Sequence, residues 1–283
     1  MIPVAFEYVR PTTVADAVSA LRSAGEDGKV LAGGQSLLPV LRLRLAAPST
    51  VVDLGGISAL RGIRLDGDWL VVGATATHAE VASSPLVATE SPLLAAVART
   101  VGDRQVRHRG TLGGSLAHAD PAGDLPAAAV ALDATVVVAG PSGQRAIPAR
   151  EFFTDIFTTA LAQDEIVAEV RFPRTPGWTA RYEKFHRTAQ AWAVLGVAAA
   201  VRRQNGSIAE ARVALTNAGP TPVRASGVEA ALAGATDLAT VRAAAAHATD
   251  GTTPPSDASG SAEYRRHLAV VLTGRAVAAA AGL

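Results

Sequence analysis

The chain has 283 residues, 49% of them hydrophobic and only 18% charged, with a formal net charge of +1. That is enough apolar material for a sizeable core, or for two domains, and it argues against disorder; the basic residues are scattered, so neither nucleic acid nor a membrane surface is indicated. The absence of cysteine excludes disulfides, a cysteine nucleophile, thiolate zinc sites and an iron–sulfur cluster held by this chain.

From the N-terminus, residues 6–9 read as a strand. Val14, Ala17, Val18 and Leu21 then recur at helical spacing, with Thr12 or Thr13 as cap and Gly25 as stop. Residues 30–32 form a short strand that enters Ala32-Gly33-Gly34-Gln35-Ser36. A helix over 37–45 and a strand over 51–54 complete a β-α-β-α-β unit of about the first 57 residues. A second unit opens with a hairpin turning at Asp66-Gly67. Thr77 followed by Glu80 predicts a capping box, and Ser91-Pro92 another helix start. Strands are predicted at 136–139, 145–147 and 165–171.

After residue 178 three longer strands are predicted, at 178–185, 192–202 and 207–215, with Asn205-Gly206 as the turn between the last two. Helical patterns follow at 224–234, 238–248 and 261–279. Strands first and helices afterwards indicate a separate α+β domain. No basic stretch followed by an apolar core opens the chain, and the longest apolar run, 192–201, is too short to cross a bilayer. A cytoplasmic protein without a transmembrane segment is expected.

The double glycine after the second strand has an echo in Thr111-Leu112-Gly113-Gly114-Ser115. Paired glycines let successive N–H groups converge on an anion with no Cβ in the way, so two facing loops could hold one pyrophosphate, with Ser36, Thr111 and Ser115 as hydroxyl partners. A tight turn between strand and helix is the plainer reading of either copy. Neither copy is the G-x-G-x-x-G of a dinucleotide fold or a Walker loop.

Four sequence words, at 32–39, 106–117, 119–126 (Ala-Asp-Pro-Ala-Gly-Asp-Leu-Pro) and 264–268 (Tyr-Arg-Arg-His-Leu), carry a resemblance over nearly the whole chain. The chain resembles the FAD-binding medium subunit of molybdenum hydroxylases, the xanthine dehydrogenase family, and within it the carbon monoxide dehydrogenase type. The resemblance implies an α+β chain: a two-part FAD-binding domain, with a βαβ-type unit at 1–57 and a larger mixed α/β unit at 58–175, then a three-stranded antiparallel sheet with a helical bundle at 176–283. It also implies an FAD-carrying electron-transfer subunit of a heterotrimer, itself paired as a dimer of heterotrimers. Electrons would come from a small [2Fe-2S] subunit served by a large molybdenum-cofactor subunit, and leave to an external acceptor.

Position by position, the resemblance carries FAD contacts onto Val30, Ala32, Gly33, Gly34, Gln35, Ser36 and Leu37, and onto Thr111, Gly113, Gly114 and Ser115. Asp124 would accept hydrogen bonds from FAD hydroxyls, Leu161 and Lys184 would line the flavin, Val101 would make an apolar contact, and Trp192 stands where relatives of this type place a tyrosine. Plainer readings stand beside these: Asp120 and Asp124 as helix caps, His78 as a surface or cap residue although it lies in a family word on the adenine side, Lys184 as a snorkelling strand lysine, Trp192 as core. The chain departs from the family pattern at Ala191, where an acidic residue is frequent, and at His108, where asparagine is commoner. A self-contained FAD-dependent oxidase or reductase, and a non-catalytic phospholigand-binding module, are the alternative functions. Neither catalytic side chains nor metal ligands are expected in this chain.

Overall fold

The computed structural model describes residues 2–283. The N-terminal unit is a parallel sheet in which Thr50–Asp53 lies between Glu7–Val9 and Gly28–Leu31. Parallel neighbours need a crossover, and the helix Val14–Ala24 supplies one, burying Ala17, Val18 and Leu21. Its cap is Thr13, whose hydroxyl accepts from the Asp16 N–H. The second strand ends at Leu31, one residue earlier than the sequence suggests, so Ala32 belongs to the loop. The next helix is likewise shorter than predicted, Leu37–Arg42, because Arg44 turns left-handed at φ 57° and no helix continues through that conformation.

The middle unit is built on a five-stranded antiparallel sheet in the order Ile63–Asp66, Trp69–Gly73, Ile166–Pro173, Thr135–Gly140, Gly143–Pro148. Asp66 pairs with Trp69, so the first hairpin turns on Gly67-Asp68, one residue later than predicted, with Gly67 at φ 56°. Short helices cover one face of the sheet, and Leu70, Val72, Leu93, Leu94, Leu112 and Phe172 share its core. The helix Asp124–Ala131 is buried along its whole length, as its seven apolar residues after Asp124 require. Ala139, Ile166 and Ala168 instead join the core of the N-terminal unit.

The C-terminal sheet has four strands, not three: Thr179–Phe185, Leu195–Gln204, Ser207–Thr216 and the two-residue Val223–Arg224. Asn205 and Gly206 make the expected hairpin turn with φ 51° and 82°, the positive pair that matches strand twist. Alternation in the central strand splits its side chains between two partners. Val197, Ala199 and Val201 face the helices Ser226–Leu232, Leu238–Ala245 and Ala262–Ala281, while Ala198 and Ala200 join the core of the middle unit. A sheet buried on both sides needs a continuous apolar strand, and Leu195 to Val201 is one. No helix of the described residues is long and apolar enough to cross a membrane.

Candidate functional site

A cleft of about 680 Å³ lies where the three parts of the chain meet, inside the size range of small-molecule and cofactor sites. Val30, Ala32, Gly33, Gly34, Gln35, Ser36 and Leu37 form one wall. Thr111, Gly114, Ser115 and Asp124 form another, and Val101, Leu161, Lys184 and Trp192 line the remainder. Of the cofactor contacts that the resemblance implies, Gly113 alone is turned away. Its Cα faces Ala74, where an added Cβ would lie 2.6 Å from the Ala74 Cβ.

In the first wall the chain leaves its strand and passes through Gly33, Gly34, Gln35 and Ser36. Among the described residues none of these four N–H groups has a protein acceptor. Gly34 takes φ 78°, and Gly33 touches the opposite wall backbone to backbone: a Cβ there would lie 2.1 Å from the Arg109 carbonyl oxygen and 2.7 Å from the Gly110 Cα. Side-chain-free contact at this point keeps the cleft narrow while leaving the amides free.

The second double glycine is not a loop. Thr111 caps a helix, Leu112–His118, and both glycines sit in its first turn. The Leu112 N–H donates to the Ala76 carbonyl at 3.0 Å, the Gly113 N–H to Ala74 at 2.9 Å and the Gly114 N–H to the Thr111 hydroxyl at 3.1 Å. These amides are therefore bound within the protein, and the expectation of amide donors from both walls is corrected. What this wall offers is the hydroxyls of Thr111 and Ser115 and the bare Cα of Gly114.

Asp124 is the first residue of its helix, and Gly123 is the cap, so the capping role does not hold. Its buried carboxylate takes the Lys184 ammonium at 2.7 Å on Oδ2 and the Tyr182 hydroxyl at 2.6 Å on Oδ1. Burial pushes the Asp124 carboxyl above its usual range, opposed by the adjacent Lys184 charge and the hydrogen bonds from Lys184 and Tyr182. The Tyr182 phenol is driven well up by burial and by the carboxylate it faces. Lys184 does not snorkel: its side chain is 7% exposed, and its ammonium also donates to the Thr100 carbonyl at 3.3 Å. Asp120 accepts from the Ala122 N–H at 2.8 Å, closing a turn rather than capping a helix.

His78 is buried, at 4% exposure, against the expectation of a surface residue. It lines the cleft, its Nδ1 has no partner, and burial together with the Arg107 charge lowers its pKa to about 4, so the ring is neutral. Its ring lies against Gly110, where a Cβ would come within 2.7 Å. Trp192 is 57% exposed at the rim, neither core nor strand, because the strand begins at Leu195. Ala191 also lines the cleft, whereas His108 is exposed and does not. The sequence reading missed Tyr182. The available signal was its spacing of two from Lys184 on a strand, which places both on one face.

Residues 4–175 match the family described as the FAD binding domain in molybdopterin dehydrogenase, and residues 180–280 the CO dehydrogenase flavoprotein C-terminal domain. The chain is 41% identical to the carbon monoxide dehydrogenase medium chain of Hydrogenophaga pseudoflava, covering 99% of this chain and 98% of the relative. It is 39% identical to the nicotine 6-hydroxylase medium subunit of Paenarthrobacter nicotinovorans, covering 96% of each. Among solved structures, quinoline 2-oxidoreductase from Pseudomonas putida 86 superposes with a TM-score of 0.95 at 35% identity, covering 100% of this chain and 99% of that one.

Proposed function

The chain belongs to the FAD-binding medium-subunit family of the molybdenum hydroxylases, and from that premise we propose that it carries FAD in the cleft and relays electrons from a [2Fe-2S] subunit to an external acceptor. Its partners in this reading are a large molybdenum-cofactor subunit and a small iron–sulfur subunit, assembled as a dimer of heterotrimers in the cytoplasm. Bound FAD supplies redox chemistry that the side chains of this protein do not.

The observation that carries the proposal is the run of four partnerless amides at Gly33 to Ser36 in a cleft walled by both family regions. Backbone donors of this kind suit a pyrophosphate. The Thr111 and Ser115 hydroxyls complete its shell from the opposite wall, Lys184 and Asp124 take polar groups deeper in, and Val101 and Leu161 give the ring system an apolar surface. Trp192, at the rim, controls access from solvent.

Co-expression with the genes beside it tests this. A complex that carries flavin, and whose flavin is reduced by the substrate of the large subunit, is the expected result. Turnover of a reducing substrate by the isolated chain would show a self-contained oxidase or reductase instead. Colourless protein that cannot be reconstituted with FAD would leave the cleft to another phospholigand.

A further inference from the structure

Tyr182 and Lys184 stand on the same face of the strand Thr179–Phe185 and reach the two oxygens of one carboxylate. We propose that Tyr182 is a positioning residue of the cofactor site: its hydroxyl anchors one oxygen of Asp124 so that the other holds the Lys184 ammonium at the wall of the cleft. The inference rests on the proposal that FAD occupies this cleft.

Three features support it. First, an ammonium has three donors, of which Asp124 and the Thr100 carbonyl take two, leaving one for the occupant of the cleft that Lys184 lines. A carboxylate held at one oxygen alone could swing about its own axis and carry the lysine with it; held at both, it cannot. Second, the Tyr182 hydroxyl is buried and lies 3.3 Å from the Thr216 hydroxyl, so the phenol is fixed from behind.

Third, the chain makes room for this one oxygen. Gly196 lies mid-sheet, opposite Lys184 on one side and Thr216 on the other, where no turn requires glycine and glycine weakens a strand. A Cβ at 196 would lie 2.3 Å from the Tyr182 hydroxyl oxygen. The glycine keeps the phenol in place, which ties two positions of the C-terminal sheet to one carboxylate of the middle unit.

The test uses the co-expressed complex, stripped of flavin and titrated with FAD, reading both the dissociation constant and the midpoint potential of the bound flavin. Tyr182→Phe is expected to weaken FAD binding about tenfold, the order of one hydrogen bond to a charged group. It should also lower the midpoint potential in the same direction as Lys184→Gln: that variant removes the positive charge at the cleft wall, and Tyr182→Phe leaves the charge present but no longer held in place. The double variant should fall no further than Lys184→Gln alone, and Gly196→Ala should reproduce Tyr182→Phe while adding little in its presence.

A Tyr182→Phe variant whose bound flavin keeps the wild-type potential, or shifts that simply add, overturns the role given to Tyr182. Wild-type complex that takes up no FAD overturns the functional proposal and this inference with it.

Discussion

At Gly33-Gly34 the chain comes off a parallel strand and runs four residues with its amides unpartnered, whereas at Gly113-Gly114 the same pair opens a helix whose first amides are bound to Ala76, Ala74 and Thr111. The glycines serve different ends. Gly33 is bare because a neighbouring backbone must touch it, and Gly113 because the helix packs directly on Ala74. One segment leaves its amides unpartnered at the wall of the cleft, and the other packs the opposite wall in place. Identical dipeptides thus carry no common function; what surrounds their N–H groups decides.

The sharpest way to break this contrast is Gly33→Val. Its Cβ would push the two walls apart at the Arg109 carbonyl, and flavin content should fall below about a tenth of wild type while far-ultraviolet circular dichroism stays the same. Retained flavin would show that backbone contact there is not needed. His78 lies beneath the same junction, and its pH response follows from its lowered pKa. As the pH falls from 6.5, the unfolded chain takes up the proton first, so stability present above pH 6.5 is lost progressively down to about pH 4. The whole loss is about 3 kcal/mol. Thermal melts against pH should therefore show a flatter acid limb in His78→Gln than in wild type.

On the other wall Gly113→Ala should cost about 1–3 kcal/mol of stability through overpacking, with flavin per folded molecule unchanged. A flavin loss without a lower melting temperature would reverse the assignment of the two segments. The smallest effect on stability is expected of Thr111→Ala, about 1 kcal/mol from the lost helix cap, with Thr111→Ser restoring it.

The local signals in the sequence translated well into structure. Thr77 and Glu80 form a full capping box, and Asn205-Gly206 turns a hairpin, because each depends on residues within a few positions of each other. The second double glycine misled, since nothing in Thr111 to Ser115 reveals that Ala74 and Ala76 will take its amides. For Tyr182 the sequence offered only a face shared with Lys184: its partner Asp124 is 58 residues away, and an aromatic on a strand resembles core until that partner is in view. Val223–Arg224 is too short for any periodicity to announce. At residue 192 the apolar run continues unbroken while the backbone does not, because Gln190, at φ 69°, sets a loop just ahead of the strand.

The crossing of Tyr182 and Lys184 into the middle unit also bears on biosynthesis. A chain emerging from the ribosome N-terminus first has both glycine segments, and Asp124, before either of these side chains exists. Asp124 lies 60 residues ahead of the lysine that neutralises it, and that lysine is fixed by the pairing of Thr179–Phe185 with Leu195–Gln204. In the proposed reading, FAD offered before that strand is in place would meet a cleft whose Lys184 wall is missing.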